Sequence, residues 1–377
     1  MAKILAVSHD AYLYGAQRSL LDTVVGLADA GHQVEVCVPH EGALVERLRD
    51  QGVRVHVVPF LRWIPAASEP AVRNCLRFVL RFPAGLLRAS RLIRAGNYDV
   101  VYTNTVTVLD FALAARMCRV AHVWHLREAA AGNPQLRSPL SNARVAALVR
   151  ALSTRVIYNS RALWARYGAS KSGKDVVVHN GLRPPPERAR PPRAAGARLC
   201  VVTAGFMDRR KGLDVLLDAL VLLPPELRAS MVLRVAGHVE DRMARELAPR
   251  LQRLGDSVEF VGWADGLEEL LDTADLLVSS ARDEPFGRTL VEAMMAGVPV
   301  LATRSGGPEE IVVDGVTGVL VPPDDPARLS AALARMLEQP QLRASCGRAG
   351  RERAHAQFSL ASYVRGVEQC LLNAISP

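Results

Sequence analysis

The chain has 377 residues, 49% of them hydrophobic and 23% charged, which is the composition of a soluble globular protein long enough for two α/β domains with large cores. Its net charge of +9 suits an anionic partner such as a nucleotide sugar or an anionic lipid surface, and the lack of a helix-turn-helix, zinc-finger or RNA-recognition signature sets nucleic acid aside. No uninterrupted apolar stretch reaches membrane-spanning length, and six scattered cysteines without metal-ligand spacing read as core residues of a reduced, cytoplasmic protein.

The opening MAKILAVSHD carries one lysine and a short apolar run, too short for a signal segment and suited to a first buried strand, Ile4 to Ser8. A loop and a helix through about Ala30 follow, Gly31-His32 closes the helix, and Val34 to Val38 is the next strand. This is a βαβ unit of the doubly wound type, but G-x-G-x-x-G is absent, which removes support for a dinucleotide. Gly15 stands just before the helix, where a missing Cβ lets a phosphate or another backbone approach; a plain turn glycine explains it equally well.

Arg62 to Arg94 is the most uneven stretch, with Arg62, Arg73, Arg77, Arg81, Arg88, Arg91 and Arg94 against the single acid Glu69. Arg73, Arg77 and Arg81 fall at i, i+4 and i+8, one stripe of a helix. Val72, Leu76, Val79, Leu86 and Leu87 supply apolar positions, and Pro83 is the expected break. A basic amphipathic helix suits an anionic membrane surface, which would make the protein peripheral on the inner face of the cell membrane. Solvated arginines explain the same pattern, and both readings stand.

Tyr98 to Asn104, His122 to Leu126, Arg155 to Ser160 and Val176 to Leu182 read as further strands. Arg183 to Arg198, RPPPERARPPRAAGAR, is a proline-stiffened linker. It separates an expected N-terminal domain, 1–182, from a second α/β unit, 199–357, that opens with Leu199 to Thr203. Val232 to Gly237 and Val258 to Val261 are strands of that unit, Leu267 to Thr273 and Pro326 to Leu337 are helices, and 358–377 is a last amphipathic helix.

The most informative stretch is Ser279 to Pro299, SSARDEPFGRTLVEAMMAGVP. The apolar run before it is a buried parallel strand ending in small polar residues. A loop with Pro285 and Gly287 follows, then a helix over Thr289 to Ala296 closed by Gly297. Such a strand-loop-helix turn aims free backbone N–H groups and the positive end of the helix dipole at one spot, which suits a phosphate. Glu284 in the loop and Glu292 about one turn into the helix flank that spot, and carboxylates accept hydrogen bonds in the pairs that sugar hydroxyls offer. A solvated helix face accounts for Glu292 equally.

EPFGRTLVEAMMAGVPVLATRSGGPEEIVVDGVTGVLVPPDDP resembles the donor-binding signature of the retaining glycosyltransferase family 4, the group 1 glycosyltransferases. The family's E-x7-E element falls on Glu284 and Glu292, and its GG-x-x-E-I segment on Gly306, Gly307, Glu310 and Ile311. The resemblance implies a GT-B fold, α/β in class, with two Rossmann-like doubly wound domains facing each other across a cleft. It implies that Glu284 lies near the donor sugar, that Glu292 holds the ribose, and that the loop and helix end over Phe286, Gly287, Arg288, Thr289 and Leu290 hold the pyrophosphate. GAQRSLLDTVVGLADAGHQVEV looks like the family's opening segment, whose glycine loop, here Gly15, faces the donor phosphate. GFMDRRKGLDVLLDAL resembles its G-R-x-x-x-x-K-G segment, with Lys211 on the lysine; Phe206 stands where arginine is usual, and Arg209 or Arg210 would replace its charge. At the end of VWHLREAAAGN the family carries a histidine followed by an acid that faces the reacting centre. Arg127-Glu128 fills that slot on the most natural register, and His125 lies two residues earlier. A half-buried strand histidine with a surface arginine beside it is the plain alternative. The last helix of such enzymes commonly returns to the N-terminal domain.

These readings converge on transfer of a sugar, with retention, from a nucleotide-diphosphate sugar to a glycan, lipid-linked or other cell-envelope acceptor. The departing diphosphate gathers negative charge, which Lys211, Arg209 or Arg210 and the helix end can absorb. No D-x-D motif sits on a strand end, so neither a metal nor another cofactor is expected. The rival reading is a non-catalytic binding subunit of a partner transferase, motivated by Phe206 and the displaced histidine; a nucleotide-sugar epimerase is a weaker one.

Overall fold

The computed structural model describes residues 1–67, 69–170, 173–186, 196–262 and 267–376. Most of the proline-rich stretch, 187–195, lies outside the described residues. Contacts divide the chain into two units, Met1–Gly181 with Leu360–Pro377, and Leu182–Ser359.

The first unit holds a parallel sheet of β1 Lys3–Val7, β2 Gln33–Val38, β3 Arg54–Val57, β4 Val100–Thr103, β5 Ala121–Leu126, β6 Arg155–Tyr158 and β7 Asp175–Val177, in the order β3-β2-β1-β4-β5-β6-β7. Its inner strands are buried on both sides because helices cover both faces of a parallel sheet; Ile4 to Val7 and Val100 to Thr103 are buried throughout. The second unit repeats the plan with β8 Leu199–Ala204, β9 Met231–Ala236, β10 Val258–Gly262, β11 Leu276–Ser279, β12 Val300–Thr303 and β13 Val319–Val321, ordered β10-β9-β8-β11-β12-β13. In both sheets the direction of winding reverses once, between β1 and β4 and between β8 and β11. Doubly wound sheets bind ligands at the carboxyl ends of the strands flanking that reversal.

The final helix, Leu360–Ile375, buries Tyr363, Val364, Val367 and Leu371 in the core of the first unit. It crosses the helix Gly15–Asp29 so closely that a Cβ on Gly26 would meet Val364 Cγ2 at 2.4 Å. A helix before it, Pro340–Gln357, is poor in large apolar residues and escaped the sequence reading.

One expectation is overturned. Pro83 does not break the arginine-rich helix, which runs unbroken over Ala71–Gly96. Proline removes one N–H and frees the carbonyl four residues back, but Pro83 and Val79 both lie on the exposed side, where that carbonyl is open to solvent. The helix ends instead at Asn97, in the left-handed conformation with φ 50°.

Candidate functional site

In the second unit the reversal point is flanked by the turn after β8 and the loop after β11. Asp208 caps the turn by accepting the Lys211 N–H at 3.1 Å, and Ser280 Oγ donates to the Gly212 carbonyl at 2.8 Å. Gly212 has φ +65°, and a Cβ there would meet the Ser280 carbonyl oxygen at 2.1 Å. The two loops are thus pressed together, and the basic run Arg209–Lys211 is held as a single 3-10 turn. Its side chains then part. Lys211 Nζ lies 2.5 Å from Glu284 Oε2. Arg210 lies 3.7 Å from the same oxygen and donates to the Asp283 carbonyl at 3.0 Å. Arg209 is exposed. Asp208 and Ser280 escaped the sequence reading, although an aspartate three residues before the lysine is a capping pattern.

Glu284 is fixed by its backbone, whose N–H donates to Ser305 O at 3.0 Å and whose carbonyl accepts from Gly307 N at 2.8 Å. The GG segment is needed for this approach, since a Cβ on Gly307 would meet Phe286 O at 2.2 Å. Burial alone would raise the Glu284 carboxyl, but the Lys211 ammonium and then the Arg210 guanidinium outweigh it and hold the group below its usual range. The pairing therefore stabilises the fold fully above the unfolded pKa near 4.5 and is lost as pH falls through the lower folded value.

Phe286 is buried against Phe358, with ring centroids 6.0 Å apart. Gly287, at φ 107°, begins the helix Arg288–Met295, and no side chain caps that helix. Thr289 is partly exposed at its first turn and Leu290 is buried. Glu292 is not a bare solvated acid: its Oε1 lies 3.0 Å from Arg288 Nε. The arrangement brings Lys211, Arg210, Glu284, Arg288, Glu292 and an uncapped helix N-terminus to one strand edge.

In the first unit, Gly15 opens the helix Gly15–Asp29 without a side-chain cap, and nothing lies within 4 Å of where its Cβ would be. The picture of Arg127 as a surface neighbour of a half-buried histidine does not hold. His125 is fully buried and Arg127 is 6% exposed. Arg127 donates to Asn104 Oδ1 at 2.7 Å, Asn180 Oδ1 at 2.5 Å and the hydroxyls of Tyr363 at 2.6 Å and Tyr102 at 3.3 Å. His125 Nδ1 is 2.7 Å from the Tyr102 hydroxyl, and its Nε2 has no partner among the described residues. Burial, and then the Arg127 charge, hold His125 well below the usual imidazole range. Tyr102 and Asn104 come from the β4 strand and its end, Asn180 follows β7 and Tyr363 lies on the last helix, so no local pattern joins the three segments. Arg73, Arg77 and Arg81 are all exposed on their helix. Among the described residues no helix is long and apolar enough to cross a membrane.

Two doubly wound parallel units, the second with a cationic turn and a helix N-terminus without a side-chain cap at its reversal point, define an α/β protein of the GT-B fold. The solved structure of HepE from Anabaena, in complex with UDP and glucose, superposes with a TM-score of 0.80 at 22% identity, covering 99% of this chain and 100% of that one. Residues 14–181 match the glycosyl transferase 4-like domain and residues 187–353 the glycosyl transferases group 1 domain. The D-inositol 3-phosphate glycosyltransferase of Thermobifida fusca is 30% identical over 338 residues, 79% of this chain and 76% of that protein. That of Streptomyces avermitilis is 36% identical over 213 residues, 50% of this chain and 45% of that protein, so the chain spans less than half of this second relative. The chain belongs to the group 1 glycosyltransferases of family 4.

Proposed function

We propose that the protein transfers a sugar from a nucleotide-diphosphate sugar to an acceptor hydroxyl, the second unit holding the donor and the first receiving the acceptor. The observation that carries this is the convergence of Lys211 and Arg210 on Glu284 beside the uncapped helix at Gly287. In the reaction the bond from the anomeric carbon to the diphosphate oxygen breaks and its electron pair leaves with the diphosphate. The acceptor oxygen bonds to the anomeric carbon from the same side, and its proton passes to the departing phosphate. Such a front-face route retains configuration and needs no protein nucleophile. Lys211, Arg210 and the helix end stabilise the developing charge, the part a metal would otherwise play. As the cations turn to the diphosphate, Glu284 is released to orient the donor sugar.

The direct test is a thermal-shift panel of UDP, GDP, ADP and TDP, because a ligand that binds the native state raises the melting point. UDP is the first candidate, since HepE was solved with it. Release of nucleoside diphosphate from the matching sugar donor then reports turnover; tight nucleotide binding without turnover for any donor and acceptor pool would favour a binding subunit.

The ribose assignment carries its own expectation. Glu292→Gln should weaken nucleotide binding by about 1.5–3 kcal/mol, the scale of a hydrogen bond to a charged group. Unchanged affinity by calorimetry would reduce Glu292 to structural roles such as its pairing with Arg288.

The acceptor is proposed to be a lipid-linked or other cell-envelope glycan met at the inner membrane surface. Leu76, Val79, Leu80 and Leu87 are 59%, 63%, 69% and 56% exposed on the helix that carries Arg73, Arg77 and Arg81, which gives an apolar stripe edged by cations. Binding to anionic liposomes should fall with salt, because surface charge is screened over about 8–10 Å at physiological ionic strength. Replacing the three arginines by glutamine should reduce co-sedimentation and spare nucleotide affinity. Equal sedimentation would reduce them to solvated surface residues.

A further inference from the structure

Of the seven tyrosines in the chain, Tyr98, Tyr102, Tyr158, Tyr167 and Tyr363 are buried, whereas Tyr12 and Tyr14 are 55% and 44% exposed. Both exposed ones sit in the loop after β1, at the carboxyl edge of the first sheet and beside its reversal point. An exposed aromatic ring forgoes part of a burial worth about 1.5–3 kcal/mol, and two such rings side by side in one short loop make an apolar patch of the kind that marks a binding site. The rings form a corner. Tyr12 lies 6.1 Å from Tyr14 at 55° and 5.6 Å from the exposed His40 ring at 54°.

The loop beneath them is held at several points. Asp10 Oδ1 accepts the N–H groups of Ala11 at 2.8 Å and Tyr12 at 3.2 Å, and it lies 3.3 Å from His40 Nε2. Ser8 Oγ donates to Asp10 O at 2.7 Å, and the buried Ala11 carbonyl accepts Leu44 N at 2.9 Å. Gly42 comes so near that a Cβ there would meet Ala11 O at 2.8 Å. The corner is therefore preorganised and need not fold around its ligand. The side-chain contacts to Ala11, Tyr12 and His40 all run through Oδ1, and a carboxylate keeps further acceptor capacity on its second oxygen.

We propose that Tyr12, Tyr14 and His40 form a stacking platform for a pyranose ring of a glycan acceptor, with Asp10 accepting from one of its hydroxyls. A pyranose is amphipathic in the way the corner is: its axial C–H groups make an apolar face that suits the negative face of an aromatic ring, while its hydroxyls ring the edge where the carboxylate lies. A flat nucleobase prefers a parallel slot, which rings inclined at 54–55° do not make. The proposal rests on the transferase reading and deepens it by giving the acceptor a sugar at the contact point.

The test uses the whole protein and tetrasaccharides of glucose, galactose, mannose and N-acetylglucosamine as probes, with binding followed by saturation-transfer NMR and calorimetry and UDP affinity measured in parallel. Wild type is expected to bind at least one tetrasaccharide. Tyr12→Ala with Tyr14→Ala should weaken that binding at least tenfold and leave UDP affinity unchanged, while Tyr12→Phe with Tyr14→Phe, which keeps the rings, should retain most of it. Three results would overturn the platform: equal glycan binding by the alanine pair, loss of UDP affinity in place of glycan affinity, or a wild type that binds UDP but no tetrasaccharide. A wild type that binds no nucleotide would strike the donor reading, not the platform.

Discussion

Lys211→Ala is expected to lower turnover by ~10²–10³-fold, the loss common when one preorganised donor to a developing anion is removed. The lysine is preorganised in a physical sense: its turn is capped by Asp208, clasped by Ser280 and pressed against it at Gly212. The resemblance expects an arginine where the chain has Phe206, whose ring lies 5.3 Å from that of His238, so a larger share is expected of Lys211. Arg210→Ala should follow at a smaller cost, since Arg210 lies farther from Glu284, 3.7 Å against 2.5 Å. Arg209→Ala should be nearly silent because that side chain is exposed. The measurement is release of nucleoside diphosphate at saturating donor. Wild-type turnover by Lys211→Ala would move the diphosphate away from this turn altogether.

The second large effect is expected at Arg127. Arg127→Ala removes the guanidinium that donates to the amide oxygen of Asn180, and an orphaned buried polar group costs about 1–3 kcal/mol in chemical denaturation. Asn104 Oδ1 loses its shorter donor but keeps the Tyr102 hydroxyl at 3.4 Å. His125→Ala removes one acceptor, for Tyr102, and should cost less. If Arg127 has taken the place of the family's histidine, turnover at a temperature where both variants are folded should fall further for Arg127→Ala. The reverse order would return the role to His125. An Arg127→Ala variant within about 1 kcal/mol of wild type would show that water replaces the guanidinium, as it can where a cavity is polar.

Several features were legible in the chain before any contact was known. The strands β1 and β11 announce themselves by the apolar runs Ile4 to Val7 and Leu276 to Val278, because a parallel strand covered on both faces has no polar side to alternate with. The E-x7-E spacing places Glu284 in a loop and Glu292 one helical turn on, since a helix advances by fixed steps. The same physics hides other facts. In a strand buried on both faces, period two does not say what each side chain meets, so the surroundings of His125 were illegible, and the burial of Arg127 depends on Asn180 and Tyr363, far away in sequence. Which of Arg209 and Arg210 turns inward is decided by the clasp from Ser280, sixty-nine residues from Lys211, and Pro83 fails to break its helix only because its side of that helix is exposed. Local propensity and periodicity belong to the chain; burial, partnership and the charge state they impose arise only when distant segments meet.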